Sequence, residues 1–343
     1  MVLAGLSIMC MSGCTKETKK TGTKQIVTTI FPIYDWTTEI LGENPDGIDV
    51  KMLLDKGVDL HSYQPSVDDI MLISNCDVFI YVGGESDAWV SDALAQATNK
   101  DMVVINLMEL MGSNAKEEET VEGMQEHDHE HEEDHDEDHD EHHDEDHDKD
   151  HDEDHDEEKE YDEHVWLSLK NAMLFCRNIC DKICSLDSAN ADLYRSNTDA
   201  YCRQLEALNG EYQKAADASV SKTLLFADRF PFRYLTDDYG LRYYAAFSGC
   251  SSETEASFDT IIFLSDKLDE LKLNVILQTE SADGSVAETV KSNTRNKNQK
   301  ILTLDSLQSV TSENIKNGAT YLSVMKDNLK VLQQAFNSEQ SPM

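Results

Sequence analysis

Asp77-Val-Phe-Ile-Tyr-Val82, closed by Gly83-Gly84, is a short apolar run bounded by turn residues and reads as a β-strand. Upstream, Lys24–Phe31 (KQIVTTIF) reads as a strand ended by Pro32, residues 34–42 as a short helix, and Asp49–Asp55 (DVKMLLD) as a second strand. Ser66 followed by Asp69 is a capping signature for a helix running through Asn75. Downstream, a helix from Ser86 to Ala97 leads into a further strand at Met102–Leu107. Strands alternating with helices at this spacing predict a parallel α/β lobe.

The second half repeats the plan. Strands are expected at Thr223–Ala227, Leu241–Phe247, Asn274–Thr279 and Ile301–Leu304. Helices fill 231–239, 256–271 and 284–294, and a final amphipathic helix covers Ser312–Phe336. Between the halves, helices are expected over Trp166–Cys184 and over Ala189–Ala218. In the second of these, Tyr194, Tyr201, Leu205, Leu208, Tyr212 and Ala215 keep to one face. The predicted architecture is α/β: two parallel-sheet lobes joined by a single long rigid helix, with a cleft between them. The lobes are expected at 25–185 and 220–343, with the linker at 186–219.

Low-complexity sequence interrupts the first lobe. Ten of the 12 histidines lie there: His127, His129, His131, His135, His139, His142, His143, His147, His151 and His155. They alternate with Asp and Glu in tetrads such as His135-Asp136-Glu137-Asp138. Such a tract buries no apolar surface, so nothing offsets the entropy of ordering it, and 113–160 is expected to be disordered. Imidazole and carboxylate are both zinc ligands, so these ten histidines read as a weak, multi-site cation binder; the plainer alternative is a solubilising acidic loop. The net charge of −39 is concentrated here, with 29 Asp or Glu against two Lys over residues 117–163. No stretch is basic enough to follow a phosphate backbone, which argues against nucleic acid as a partner.

The N-terminus, MVLAGLSIMCMSGC, is an apolar run ending in small residues before Cys14, and the polar stretch 15–24 follows. That is the shape of a lipoprotein signal peptide (1–14) whose Cys14 becomes acylated, followed by a tether, although no Lys or Arg precedes Lys16. Of the six later cysteines, Cys176, Cys180 and Cys184 share helical spacing with Ala172, Ile179 and Ile183, and the set is read as core thiols.

Ligands of open parallel sheets bind beyond the carboxyl ends of the strands. His61 lies past the second strand, and His164 opens a helix just after the acidic tract. Asp228 follows the first strand of the second lobe and Glu280 its third. Two imidazoles with one or two carboxylates suit Zn²⁺, and suit Mn²⁺ as the carboxylate share rises. Asp228 also reads as a helix N-cap before Arg229-Phe230-Pro231.

Phe31-Pro32-Ile33-Tyr34, His61-Ser-Tyr-Gln-Pro65-Ser66, His164-Val-Trp-Leu167, Phe232-Arg-Tyr-Leu235 and the strand ending in Glu280 together resemble the zinc/manganese substrate-binding lipoproteins of ABC transporters. The resemblance implies a monomeric, non-enzymatic receptor, lipid-anchored at the extracytoplasmic face. It would hold one divalent ion between its lobes and deliver it to a membrane permease. The His-rich loop is similar to that of the zinc-selective branch; a manganese receptor, or a surface zinc buffer or adhesin uncoupled from transport, are the alternatives. The family's third ligand, a His or Glu, falls on Arg229, which cannot bind a cation and instead could pair with a carboxylate. Asp228 or Glu280 would then serve the second lobe, with Asp283 an alternative for the fourth ligand. A zinc hydrolase built on His61, His164 and Glu280 is disfavoured, because the chain has neither HExxH nor a nucleophile elbow.

Overall fold

The computed structural model describes residues 23–125, 160–251 and 255–336. The signal-peptide segment with Cys14 lies outside these residues. So does every histidine of the expected low-affinity tract: His127, His129, His131, His135, His139, His142, His143, His147, His151 and His155. The reading of those ten as weak cation ligands therefore rests on composition alone.

In the first lobe the elements are β1 (Gln25–Thr28), α1 (Phe31–Leu41), β2 (Asp49–Met52), α2 (Val67–Asn75), β3 (Val78–Tyr81), α3 (Val90–Ala95), β4 (Val103–Asn106) and α4 (Leu107–Met111). Two helices follow, α5 (Leu169–Leu186) and α6 (Ala191–Ala218). The second lobe holds β5 (Thr223–Phe230), α7 (Arg233–Tyr239), β6 (Arg242–Ser248), α8 (Phe258–Leu271), β7 (Val275–Gln278), α9 (Ser285–Asn293), β8 (Lys300–Thr303), α10 (Ser312–Lys316) and α11 (Tyr321–Phe336). Both sheets are wholly parallel, ordered β2-β1-β3-β4 and β6-β5-β7-β8. The order reverses direction between β1 and β3, and again between β5 and β7. Those are the crevices where loops diverge and ligands lodge.

Four local differences from the sequence reading have physical causes. The first strand stops at Thr28, because Pro32 sits in the first turn of α1, where its fixed φ suits helix and its missing N–H costs nothing. The helix expected over 86–97 is a 3₁₀ turn at Glu85–Asp87 followed by the shorter α3. The terminal helix is two helices, broken where Gly318 takes φ +94°. Thr320 and Ser323 then cap the second reciprocally, each side-chain oxygen accepting the other's backbone N–H. Finally, β5 runs on to Phe230 through a register shift between Phe226 and Arg229, so Asp228 lies inside the strand and is not a helix cap.

The long connector is as the periodicity implies. With 28 residues, α6 extends about 42 Å, and Tyr194, Tyr201, Leu205, Leu208 and Tyr212 are all buried. The cysteines of α5 are buried and unpaired, with Ala172, Ile179 and Ile183 on the same stripe. One apolar core runs from the first sheet through α1, α5 and α6 to α11, and a smaller one lies inside the second lobe. The chain's last helix therefore returns to the first lobe. Tyr321 donates its backbone N–H to Asp35 Oδ2 (3.0 Å) and its hydroxyl to the Trp166 carbonyl (2.7 Å), while Tyr212 donates to the Met325 carbonyl (2.6 Å).

Both described ends of the segment 113–160 are packed rather than free. Glu118 N–H donates to the Glu160 carbonyl (2.9 Å), Met124 is buried, and Gln125 N–H donates to the Ala246 carbonyl of β6 (2.9 Å). Among the described residues no helix is long and apolar enough to cross a membrane.

Candidate metal centre

His61 lies in a 3₁₀ turn, Leu60–Ser62, beyond the carboxyl end of β2, and His164 immediately precedes a second 3₁₀ turn, Val165–Leu167. The two turns are built alike. Asp59-Leu-His61 and Asp162-Glu-His164 each place an Asp two residues ahead of the His, and that Asp's Oδ1 accepts the histidine backbone N–H, at 3.0 and 2.8 Å. An Asx side chain closing a turn on its own backbone in this way fixes the direction in which the next side chain leaves.

The result is convergence. His61 Nε2 and His164 Nε2 face each other at 3.0 Å, with His164 fully buried. The opposite ring nitrogens are held from behind. His164 Nδ1 lies 3.0 Å from Asp162 Oδ1, and His61 Nδ1 lies 2.6 Å from Ser86 Oγ and 3.7 Å from Glu163 Oε2. A carboxylate behind an imidazole puts the proton on Nδ1 and leaves the Nε2 lone pair pointing forward, the arrangement found behind metal-bound histidines. Gly84 makes room for this support. Gly84 takes φ +86°, and a Cβ there would overlap the Glu163 carboxylate, whose Oε1 accepts Ser86 N–H (3.0 Å).

Electrostatics follow from burial and proximity. Burial, and then the facing His164, push the His61 pKa down, so its lone pair stays free at neutral pH. For His164 burial acts downward but is outweighed by Asp162, with Glu163 and Asp59 adding, so its pKa rises. Two imidazolium rings cannot coexist at this separation, and the pair carries at most one positive charge.

Cys250, two residues past β6, completes the cluster. Its sulfur and one ring nitrogen each of His61 and His164 all lie within 4.8 Å of one another, the one such group of three among the described residues. Gly249 lets this loop press on His164, since a Cβ there would stand 2.9 Å from His164 Cε1 and from the Phe230 carbonyl. Burial, with the carboxylates of Glu118, Asp162 and Glu163, pushes the Cys250 thiol pKa up.

The carboxylates expected from the second lobe accept hydrogen bonds from within that lobe. Glu280 accepts from Ser306 N–H (2.7 Å), Ser306 Oγ (2.8 Å) and Ser309 N–H (3.3 Å), which ties down the loop after β8. Asp228 Oδ2 accepts the Thr279 N–H (2.7 Å) and hydroxyl (2.5 Å). Asp283 is exposed and accepts Ser285 N–H at the start of α9 (2.8 Å). Arg229 reaches across the cleft, donating from Nη1 to Asp59 Oδ2 (3.1 Å) and from Nη2 to Ser281 Oγ (2.9 Å). The guanidinium thus buttresses the turn that carries His61. Beside it, Asp228, Arg229, Ser281, Asp283 and Gly284 line a cavity of about 290 Å³.

The family pattern described as the periplasmic component A of the zinc-uptake complex, ZnuA, matches residues 26–335. The chain belongs to this family. It is 28% identical over 343 residues to the zinc-binding lipoprotein AdcA of Streptococcus pneumoniae, covering 99% of this chain and 61% of that protein. It therefore spans only about three-fifths of the AdcA chain. It is also 28% identical over 311 residues to the high-affinity zinc uptake system protein ZnuA of Bacillus subtilis, covering 91% of this chain and 87% of the relative. Among solved structures, the Zn(II)-bound ZnuA-like domain of S. pneumoniae AdcA superposes with a TM-score of 0.67 at 25% identity, over 92% of this chain and all of that domain. The two sheets and the long connecting helix are thus a ZnuA-type two-lobe fold.

Against that background Arg229, at the position where the family resemblance implies a third ligand, is a departure with a visible role as a cross-lobe tie. Sequence reasoning missed Cys250, Ser86, Asp162 and Glu163. A signal for one of them was present: Asp-x-His occurs at both His61 and His164, the only two histidines outside the tract, and it marks Asp162.

Proposed function

We propose that this chain captures one divalent cation, zinc, between His61 and His164 and hands it to the permease of an ABC importer. It would act as a lipid-anchored receptor, held through Cys14 at the extracytoplasmic face. What carries the reading is the facing pair of Nε2 atoms at 3.0 Å, each ring backed by oxygen acceptors on its other nitrogen. Two lone pairs directed at one point repel unless a cation or a shared proton lies between them, and zinc is the cation that favours imidazole at neutral pH.

The placement of the acidic tract supports a two-stage capture. Its flanking residues are pinned beside the site: Gln125 on β6, and Glu118 through its Oε1 to the Cys250 N–H (3.3 Å). Ions held weakly by the tract histidines, from His127 to His155, stay at high effective concentration near the tight pair.

The test is competition of the chain with a chromophoric zinc chelator, against a His61→Ala, His164→Ala double variant. One tight equivalent, absent from the variant, is the expected result. Equal tight binding in both proteins would place the metal elsewhere and overturn the reading, and preference for manganese would overturn the zinc assignment.

A further inference from the structure

We propose that Cys250 is the third protein ligand, bound as a thiolate, so that the captured ion sits in a site of two imidazoles and one sulfur with its fourth position left to water. The inference rests on reading the His61–His164 pair as the capture site and specifies how the second lobe contributes to it.

Three observations carry it. The first is distance. Tetrahedral zinc with nitrogens at about 2.0–2.1 Å and sulfur at about 2.3 Å sets its ligands about 3.3 Å apart for N and N and about 3.6 Å apart for N and S. The two Nε2 atoms here are 3.0 Å apart, and the sulfur lies within 4.8 Å of one ring nitrogen of each histidine. Closing the site takes a few tenths of an ångström from the histidines and at most about one from the sulfur. Second, Gly249 presses its backbone against the His164 ring with no side chain between, so the sulfur-bearing residue is held next to the buried ligand. Third, no carboxylate of the second lobe joins this cluster among the described residues. The Glu280 carboxylate is taken up by three donors from Ser306 and Ser309, Asp228 by Thr279, and the position of Arg229 presents a cation bound to Asp59 and Ser281. The remaining described thiols, Cys76, Cys176, Cys180, Cys184 and Cys202, belong to the first-lobe core and do not reach the pair.

The exchange is balanced without redox chemistry. The dication enters, the Cys250 S–H proton and any proton shared by the rings leave to solvent, and the sulfur and two nitrogen lone pairs become the metal bonds. A thiolate is a soft ligand, so the substitution biases the site toward zinc and away from manganese more strongly than a carboxylate would.

The test is one equivalent of Co²⁺ added to the full chain, read in the near ultraviolet, where only thiolate-to-cobalt charge transfer absorbs strongly. The acidic tract contains no cysteine and is silent in this assay. An intense band that disappears in Cys250→Ser, together with a zinc affinity at least about 100-fold weaker in that variant, is the expected result, since even second-layer changes cost 10–100-fold. A tetrahedral visible spectrum that needs His61 and His164, without any near-ultraviolet band and unaltered in Cys250→Ser, would refute the thiolate while leaving the histidine pair as the capture site. No tight cobalt in the unaltered chain would refute both. A second readout needs no variant. Zinc should slow alkylation of Cys250 by iodoacetamide, followed by peptide mass spectrometry, at least about tenfold; an unchanged rate would refute sulfur ligation.

Discussion

Asp35 gives the most quantitative prediction. Its carboxyl lies on α1 at the junction with α6 and α11, accepting from Tyr321 N–H (3.0 Å) and the Tyr201 hydroxyl (3.3 Å), and burial raises its pKa from 3.8 to about 7. The folded state therefore binds this proton more tightly than the unfolded chain. Unfolding releases it anywhere between the two pKa values, so stability falls as pH rises from about 4 to about 7 and is flat above. The full span of roughly three units corresponds to on the order of 4 kcal/mol. Between pH 5 and pH 8 the part traversed is about 3 kcal/mol. Asp35→Asn keeps an acceptor for both donors and removes the titration. Urea unfolding of both proteins at pH 5 and pH 8 should show the variant gaining about 3 kcal/mol on the parent between the two pH values, a midpoint shift of about 1 M for a slope near 3 kcal/mol/M. The comparison across pH cancels any fixed structural cost of the substitution. It also cancels the buried Asp87, whose pKa burial likewise raises to about 7 in both proteins. A stability difference that does not vary with pH would show that Asp35 is ionised in the folded protein, and would refute the argument.

Asp162→Asn removes the carboxylate behind His164 and should weaken zinc binding about 10–100-fold in chelator competition while stoichiometry stays at one; unchanged affinity would mean that the carboxylate does not orient the ring. Deleting residues 127–158 should leave the tight equivalent intact in isothermal titration and remove only weak ones, and loss of the tight site would sink the two-stage scheme. Gly84→Ala forces a side chain into a backbone at φ +86°, ψ −165° and into the Glu163 carboxylate. It should lower stability by about 1–3 kcal/mol in thermal unfolding, and zinc affinity should fall with it, because His61 Nδ1 loses its backing; an unaltered melting curve would refute the steric reading.

Much of this molecule is legible in its residues, and the parts that are not share a cause. Strand-and-helix alternation, the Ser66–Asp69 capping box and the one-faced stripe of α6 are local signals. The structure returns each of them, because short-range periodicity and capping act within a few residues. The convergence of His61 and His164 was inferable because sequence places both at the mouths of loops in one fold type. Cys250 was not. It stands among helical cysteines that really are core, and what distinguishes it is the approach of its loop, through Gly249, to a histidine far earlier in the chain. The assignment of Asp228 and Glu280 to the second lobe's share of the site was a sound reading of strand ends. In the folded chain Thr279 donates to Asp228 and the loop after β8 donates to Glu280, contacts between segments distant in sequence that strand ends alone do not reveal.

The same contacts bear on how an ion would leave the proposed site. The core running from the first sheet through α6 into α11 is continuous, and α11 adds a second tie between the lobes, so wide opening about a hinge would have to expose apolar surface. At about 25 cal/mol per Å² even a few hundred Å² would cost several kcal/mol. His164 cannot yield either: it is fully buried, and the next turn is locked by Trp166 donating to the Ser306 carbonyl (2.9 Å). His61 is different. Its side chain keeps 12% of its surface exposed, and its turn is held through Asp59 by a part-exposed ion pair with Arg229. Opening this tie breaks one ion pair and exposes far less apolar surface than parting the core would. In the proposed receptor, release would be a local event in which the Asp59–His61 turn swings away from a fixed His164. Arg229, at the position where the resemblance implies a third ligand, would then serve as the latch on that movement.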